Sequence, residues 1–204
     1  ASEMEFPERS VEAYQALLDR WPEENSAYAP LDDLLGKLER FGEQAVVLQK
    51  RAALTTDTSE RAGLLRRLAA IYADHQGDLD EALSVLRRAR GLAPDDDGIA
   101  DDLISALAKT NGASEAISLA QERIAHLEKR DGARGDLAAL YVRVATLRLD
   151  VLGERGEAET ALKKALDYVR DHPSALAVLS RLAEGGEDPA KYGEALVREA
   201  PAAV

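Results

Sequence analysis

The stretch GDLDEALSVLRRARGLAP at residues 77–94 has an echo in GEAETALKKALDYVRDHP at residues 156–173. In both stretches a glycine, an alanine and a proline stand at the same places, with spacings of 5 and 12 residues. A third copy of the closing half, EAYQALLDRWP, ends at Pro22. The prolines at 22, 94 and 173 are therefore 72 and 79 residues apart, a distance that holds two helical hairpins and predicts an internally repeated structure.

Apolar residues recur along the whole chain at helical spacing, and each apolar segment ends at glycine, proline or a short polar cluster. Leu and Ala fill most of these positions and only 4% of the residues are aromatic, which favours an all-α fold without strands. Because the connections are short, consecutive helices should pack antiparallel. The predicted helices cover residues 8–21, 27–41, 43–55, 59–76, 78–91, 98–111, 113–130, 135–153, 156–170, 174–185 and 189–200.

Composition narrows the classes of function. The 38 acidic and 26 basic residues give a net charge of -12, which disfavours nucleic acid and anionic lipid surfaces as ligands. The chain has no cysteine, so disulfides, thiolate zinc sites and thiol nucleophiles are absent. No apolar run is long enough to insert into a membrane. The start ASEMEF shows neither an initiator Met nor a signal pattern, and we expect a cytoplasmic fragment of a longer protein.

The repeats resemble divergent tetratricopeptide repeats (TPRs) of bacterial type, whose unit of about 34 residues carries W-x2-L-G-x2-Y, then A-x3-F and a closing Pro. In residues 65–94 that pattern is matched by Leu65, Leu68, Ala69, Tyr72, Gly77, Ala82, Leu86, Ala89 and Pro94, with one residue inserted between Tyr72 and Gly77. In residues 144–173 it is matched by Val144, Ala145, Gly156, Ala161, Ala165 and Pro173, with Arg148 in the aromatic position and Tyr168 where a small residue is usual.

The resemblance implies a right-handed superhelical array (an α-solenoid) of about five antiparallel helical hairpins in a single domain over residues 1–204. Helical hairpins cannot bury an apolar face alone, so neighbouring hairpins should stack along one continuous core. The expected units are a half-repeat at 8–22 and hairpins at 27–55, 59–92, 98–130, 135–171 and 174–200.

Small and special residues support this arrangement. Ala82 and Ala161 are expected where two helices approach closely, at about 8–10 Å between axes. Gly77 and Gly156 are expected to form turns, because glycine adopts conformations that other residues resist. Prolines at 94 and 173 are expected to end or begin helices, since they lack an amide donor.

The sequence holds no pattern that predicts catalysis or a cofactor. The histidines at 75, 126 and 172 are dispersed, whereas metal sites need clustered donors. The run PDDDG at 94–98 lacks the ligand spacing of an EF-hand, so its three aspartates are interpreted as cap and first-turn residues of the next helix. No nucleophile-elbow, Walker, dinucleotide-binding or HExxH motif occurs. We therefore predict a protein that is not an enzyme and binds no cofactor or metal.

The resemblance also implies that the first helices of the hairpins line a concave, partner-binding groove. The predicted groove residues are Asp32, Gly36, Glu39, Arg40, Arg66, Ala70, Ala73, Asp74, Asp101, Ser105, Ala108, Lys109, Val142, Thr146, Leu149 and Asp150. The Lys and Asn of the family's carboxylate clamp are rare or absent at these positions, which argues against binding of an acidic chaperone tail. The arginines at 66, 67, 87, 88 and 90 form a locally basic hairpin that is read either as a site for carboxylates or, preferably, as a solvated face.

These features predict a protein–protein interaction scaffold or adaptor that binds a peptide or a folded domain. Family members of this kind serve small GTPases or secretion and motility machinery. A first alternative is an assembly module. Residues 8–22 form a second helix without a first, so Tyr14, Leu17 and Leu18 would leave a bare seam for another copy unless an upstream repeat or ASEMEF covers it. Leu196 and Val197 are expected to close the other end. A second alternative is the regulatory segment of a larger enzyme.

Overall fold

The computed structural model describes residues 5–130 and 132–184, and within these residues it contains ten α-helices and no strand. The fold is all-α, as predicted, and the helix ends differ from the predicted ends by at most four residues when the π-helical turn after α4 is counted with that helix. The predicted helix at 189–200 lies outside the described residues. The helices are α1 (Glu5–Arg20), α2 (Asn25–Lys37), α3 (Phe41–Leu54), α4 (Thr58–Ile71), α5 (Leu79–Leu92), α6 (Asp97–Ala108), α7 (Ala113–Leu127), α8 (Arg134–Asp150), α9 (Arg155–Tyr168) and α10 (Pro173–Glu184), and a π-helical turn (Tyr72–Gln76) continues α4.

The chain divides into two compact units, residues 1–109 and residues 110–204. Helices α1 to α6 belong to the first unit, and α7 to α10 belong to the second. The boundary falls inside the predicted hairpin at 98–130. In each unit consecutive helices are joined by short connections, so they pack as antiparallel hairpins. A single domain over the whole chain stays a prediction.

Aspartates at the helix starts explain where several helices begin. Asp57, Asp78 and Asp96 each accept a hydrogen bond from the backbone amide three residues later, at 2.7, 3.0 and 2.9 Å. These bonds satisfy amides that have no partner inside the helix. The aspartate run before α6 therefore supplies its cap, as predicted. At α10, Pro173 is the first helical residue and His172 Nδ1 accepts from the amide of Ala175 at 3.3 Å.

The N-terminal seam is covered rather than bare. Val11 and Leu18 of α1 are buried in a cluster formed with α2 and α3, and Tyr14 and Leu17 pack against the same cluster half-buried. The predicted open seam is therefore wrong for these residues, because α2 already covers the apolar face of α1. The buried members of the cluster are Val11, Leu18, Ala27, Tyr28, Leu31, Leu35 and Val47.

The repeat has a different register from the one that the prolines indicate. Helices α4, α5 and α6 begin at residues 58, 79 and 97, whereas α8, α9 and α10 begin at 134, 155 and 173, a constant difference of 76. Ala82 therefore corresponds to Ala158 rather than to Ala161, and both alanines are fully buried. The offset of 79 residues between the prolines exceeds the structural offset of 76 by three residues. Both alignments match small residues to small residues, because a shift of nearly one helical turn leaves them on the same helix face. Tyr168 consequently does not occupy the small position of α9, which Ala165 fills.

The inserted residue before Gly77 is taken up by the π-helical turn. A π-turn holds one more residue than an α-turn, so the chain reaches its glycine without losing the helix. Gly77 has φ +70°, and the amide of Asp78 donates to the carbonyl of Tyr72 at 2.9 Å. Gly153 in the second unit has the same φ and ends α8 in the same way, whereas Gly156 lies inside α9. The turn predicted at Gly156 is therefore made by Gly153.

Candidate functional site

A pocket of about 130 Å³ opens between α4, with its π-helical continuation, and α6. Both helices are the first members of their hairpins, and two leucines of α5 lie at the floor. Every lining residue belongs to the first unit. The pocket is lined by Arg66, Ala69, Ala70, Ala73, Asp74, Leu79, Leu86, Asp102, Ser105, Ala106 and Lys109.

Small residues keep this pocket open. Ala69, Ala70 and Ala73 follow one another on α4 and the turn after it, and Ser105 and Ala106 face them from α6. No bulky side chain from either helix fills the space between them. The volume is close to that of engineered apolar cavities of about 150 Å³, which bind benzene. The pocket can therefore hold one leucine- or phenylalanine-sized side chain.

An ion pair fixes one end of the pocket. Arg66 Nε donates to Asp102 Oδ2 at 2.5 Å, and both side chains are about 40% exposed. The hydrogen bond to Asp102 raises the pKa of Arg66 above its ordinary value, partial burial opposes that rise, and the charges of Asp96 and Asp101 add to it. Arg66 is therefore a permanent cation whose charge is already matched within its own unit.

Gly98 gives the Arg66 side chain its space. A Cβ atom at residue 98 would lie 2.2 Å from Nη1 of Arg66, so the guanidinium packs directly against the first turn of α6. Only glycine allows this approach.

Gly98→Ala should therefore move the guanidinium of Arg66 away from Asp102. In a double-mutant cycle with Arg66→Ala and Asp102→Ala, we expect a coupling free energy of about 0.5 kcal/mol in the wild-type background, because the pair is partly exposed. The coupling should fall to near zero in the Gly98→Ala background. Gly63→Ala is the matched control, since a Cβ at residue 63 of α4 meets nothing within 4 Å. Urea unfolding measures all variants, and an unchanged coupling with Gly98→Ala would contradict this packing.

The structure brings six of the predicted groove residues to this pocket. Asp101 stands beside it and acts on Arg66 through its charge. Asp102 is not among the predicted residues, because only the rotation of α6 decides which of two adjacent aspartates faces Arg66. The six are Arg66, Ala70, Ala73, Asp74, Ser105 and Lys109.

Asp32 is not a groove residue, although the sequence predicts it as one. Its side chain is completely buried. The carboxylate accepts a hydrogen bond from Gln44 Nε2 at 2.9 Å and forms ion pairs with Arg67 at 2.8 Å and Arg51 at 3.7 Å. Gly36 makes room for this arrangement, because a Cβ there would lie 2.9 Å from Gln44 Nε2. The carboxylate joins α2, α3 and α4, and a partner cannot reach it.

Glu39 and Arg40 lie beyond the end of α2, in the turn to α3, and not on the face of a first helix. Glu39 has φ +57°, and the amides of Glu39 and Arg40 donate to Gly36 and Leu35 in the pattern of a Schellman cap. The Arg40 guanidinium pairs with Glu43 and Glu8, each at 2.7 Å. The hydrogen bond from Arg40 lowers the pKa of Glu43. These residues stabilise the turn between α2 and α3 and do not line a groove.

Thr146 and Asp150 are two of the four predicted groove residues that lie in the second unit on α8. The Thr146 hydroxyl donates to the carbonyl of Val142 at 2.9 Å, and Asp150 pairs with Arg181 of α10. Both stay predictions as partner contacts.

The second unit also carries an aromatic cluster that the sequence does not indicate. The rings of Tyr141 and Tyr168 stack with centroids 5.8 Å apart, and both hydroxyls donate to Glu128, at 3.2 and 3.1 Å. The pKa of Tyr141 is raised above its ordinary value, mainly because the side chain is partly buried and to a smaller extent because the Glu128 carboxylate lies beside it. Tyr168 thus ties the end of α9 to α8, and the cluster has a structural role.

The described part of the chain holds neither a metal-binding group of side chains nor a membrane-spanning helix. Over residues 5–130 and 132–184, histidines and carboxylates form no group of three that could hold a metal ion. His75 instead stacks on the ring of Phe41 with centroids 3.5 Å apart. Within the same residues no helix has the length and apolar character needed to cross a bilayer.

Comparison with solved structures shows the fold type. The chain is similar to YrrB, described as a TPR protein with an unusual peptide-binding site, at 21% identity over 85% of this chain and 84% of YrrB, with a TM-score of 0.61. It is similar to MamA at 19% identity over 87% and 91% of the two chains, with a TM-score of 0.67. It is also similar to BtubC from P. vanneervenii at 16% identity over 97% and 89%, with a TM-score of 0.64. No protein-family model and no curated protein matches the sequence. The similarity establishes a divergent TPR-type helical repeat.

Proposed function

We propose that this chain is a non-catalytic protein-interaction scaffold that holds a peptide segment of its partner in the pocket between α4 and α6. The observation that carries the proposal is the pocket itself, which combines an apolar floor with charged side chains at its rim. Binding sites for peptides commonly have this composition, because the floor supplies affinity and the rim fixes orientation. The described peptide-binding site of YrrB supports the same kind of ligand.

The construction of the pocket suits recognition without rearrangement. Its walls are helices, its floor belongs to a packed hairpin, and Arg66 is held by Asp102 at 2.5 Å. A preorganised site loses little conformational entropy when a ligand binds. Exposed Asp74 and Lys109 at the other end of the pocket leave polar contacts available to a ligand.

Ala70→Trp should block the pocket. Ala70 is exposed and lines it, so an indole at this position would occupy the space that we assign to the ligand. Peptides selected from a random twelve-residue display library on the immobilised wild-type chain should bind the variant at least about tenfold more weakly, as expected when an apolar anchor loses its site. Fluorescence polarisation with the selected peptides measures the change.

Ala53→Trp is the matched control. Ala53 is also exposed and is also the last residue but one of a 14-residue helix, α3, but it lies outside the pocket. Peptides should bind this variant as they bind the wild-type chain. The proposal fails if no selected peptide distinguishes Ala70→Trp from Ala53→Trp while both variants keep wild-type circular dichroism.

Two finer parts of the proposal concern the partner and the extent of the site. The TPR resemblance favours small GTPases and secretion or motility components as the first partner classes to test. Thr146 and Asp150 are proposed as partner contacts of the second unit taken by itself, and substitutions there should leave binding of the selected peptide to the α4–α6 pocket unchanged.

A further inference from the structure

The charges around the α4–α6 pocket favour a ligand of one sign. Arg66 and Lys109 are the cations that line it, and Asp74 and Asp102 are the lining carboxylates. Asp96 and Asp101 add their charges at the Arg66 end, where both act on the guanidinium. Carboxylates therefore outnumber cations at this site, in a chain whose net charge is -12.

Arg66 cannot readily serve an arriving carboxylate. Its Nε already donates to Asp102 at 2.5 Å, and the guanidinium lies against Gly98 of α6. An anionic ligand would have to displace Asp102 and then approach Asp96 and Asp101. A cationic ligand meets these same carboxylates as favourable neighbours.

The charges at the other end of the pocket also favour a cationic ligand. Lys109 follows the last residue of α6, where the carbonyl end of the helix dipole partly offsets its charge. Asp74, on the π-helical turn, lines the same pocket and is exposed. A basic side chain can reach Asp74 from solvent, because neither residue closes the pocket.

We propose that the pocket receives a basic linear segment that carries one large apolar anchor. The anchor is a Leu, Ile, Met or Phe side chain, which matches the cavity of about 130 Å³ between the alanines. Lys or Arg side chains next to the anchor face Asp74 at one end and, at the other, the excess negative charge around the Arg66–Asp102 pair. The negative charge of the whole chain steers such a segment toward the site. This inference rests on the proposed function and names its ligand class.

Sequencing the selected twelve-residue peptides tests the ligand class. We expect them to share one large apolar residue flanked by Lys or Arg. For the tightest peptide, replacing its basic residues by Glu should weaken binding about tenfold at low ionic strength, and replacing the apolar residue by Ser should weaken it at least about tenfold. The effect of the charge reversal should shrink at high salt, because exposed charges are screened.

Variants of the chain separate a local charge effect from a general one. Asp74→Asn should weaken the selected peptide about threefold at low salt, the size expected for one exposed charge pair. Asp167→Asn on α9 removes the same charge elsewhere on an exposed position and should change binding by less than about 1.5-fold.

The outcomes are distinct for the two proposals. Selected peptides that are acidic or neutral, and that still lose binding with Ala70→Trp, would overturn the ligand class and leave the pocket as the binding site. Peptides that lose no binding with Ala70→Trp would overturn both proposals. A basic, apolar consensus that depends on Ala70 and Asp74 would support both.

Discussion

Replacing Asp32 by alanine should lower the free energy of unfolding by about 3 kcal/mol, because it removes the centre of a buried polar network. The carboxylate is fully buried and holds Gln44 at 2.9 Å and Arg67 at 2.8 Å. Without it, the buried Gln44 amide loses its hydrogen-bond partner. Helices α2, α3 and α4 also lose the only buried carboxylate that joins them in the described structure. The loss is below the largest values for buried pairs, since about half of the Arg67 side chain is exposed to solvent.

Asp33→Ala provides the control, because Asp33 is the next residue of the same helix and is exposed. It should change the free energy of unfolding by less than about 0.5 kcal/mol. Urea unfolding followed by circular dichroism measures both variants under the same conditions. Equal midpoints for Asp32→Ala and Asp33→Ala would show that the buried network does not stabilise the first unit.

The second large effect is expected for Ala82→Leu, at about 2 kcal/mol of destabilisation. Ala82 of α5 is completely buried, and the structurally equivalent Ala158 of α9 is buried to the same extent. A leucine adds three carbon atoms at a completely buried position, so α5 must shift or the side chain must adopt a strained rotamer.

Ser84→Leu tests whether the effect comes from packing. Ser84 lies two residues later on α5 and is exposed, so leucine there should leave the stability unchanged or raise it slightly through helix propensity. Thermal unfolding compares the two variants. A melting temperature for Ala82→Leu at or above that of Ser84→Leu would contradict close packing at Ala82.

Most of the helices can be predicted from the sequence because local signals at their ends agree with the apolar pattern inside them. Asp57, Asp78 and Asp96 cap helices, Gly77 reverses the chain, and Pro173 opens α10. Each signal acts within a few residues, so sequence alone suffices to place it.

The register of the repeat could not be obtained in the same way. Alanine is frequent in this chain, and a match of one glycine, one alanine and one proline at an offset of 79 competes with the structural offset of 76. The two offsets differ by nearly one helical turn, so the buried face remains in phase in both. Only the positions of the helix ends, marked by Gly77 and Gly153, separate the two alignments.

The sequence predicts the part of the site that depends on the spacing of residues along one helix, but not the part that depends on contacts between helices. Arg66, Ala70 and Asp74 lie within a correctly predicted helix, and their spacing places them on one side of it. Asp32 has the same spacing relative to its own helix, but its surroundings depend on Gln44 and Arg67, which come from other helices. Whether a carboxylate is a surface group or part of a core is a tertiary property, and a single sequence does not contain it.

Amide hydrogen exchange with and without the tightest selected peptide tests the central claim, that the α4–α6 pocket is the ligand site. We predict slower exchange in segments 66–74 and 102–109 with the peptide, since binding there restrains both walls and the π-helical turn. A scrambled peptide should leave exchange in these segments unchanged. Slower exchange confined to α1–α3 or to α7–α10, with segments 66–74 and 102–109 unaffected, would contradict the assignment of the ligand site.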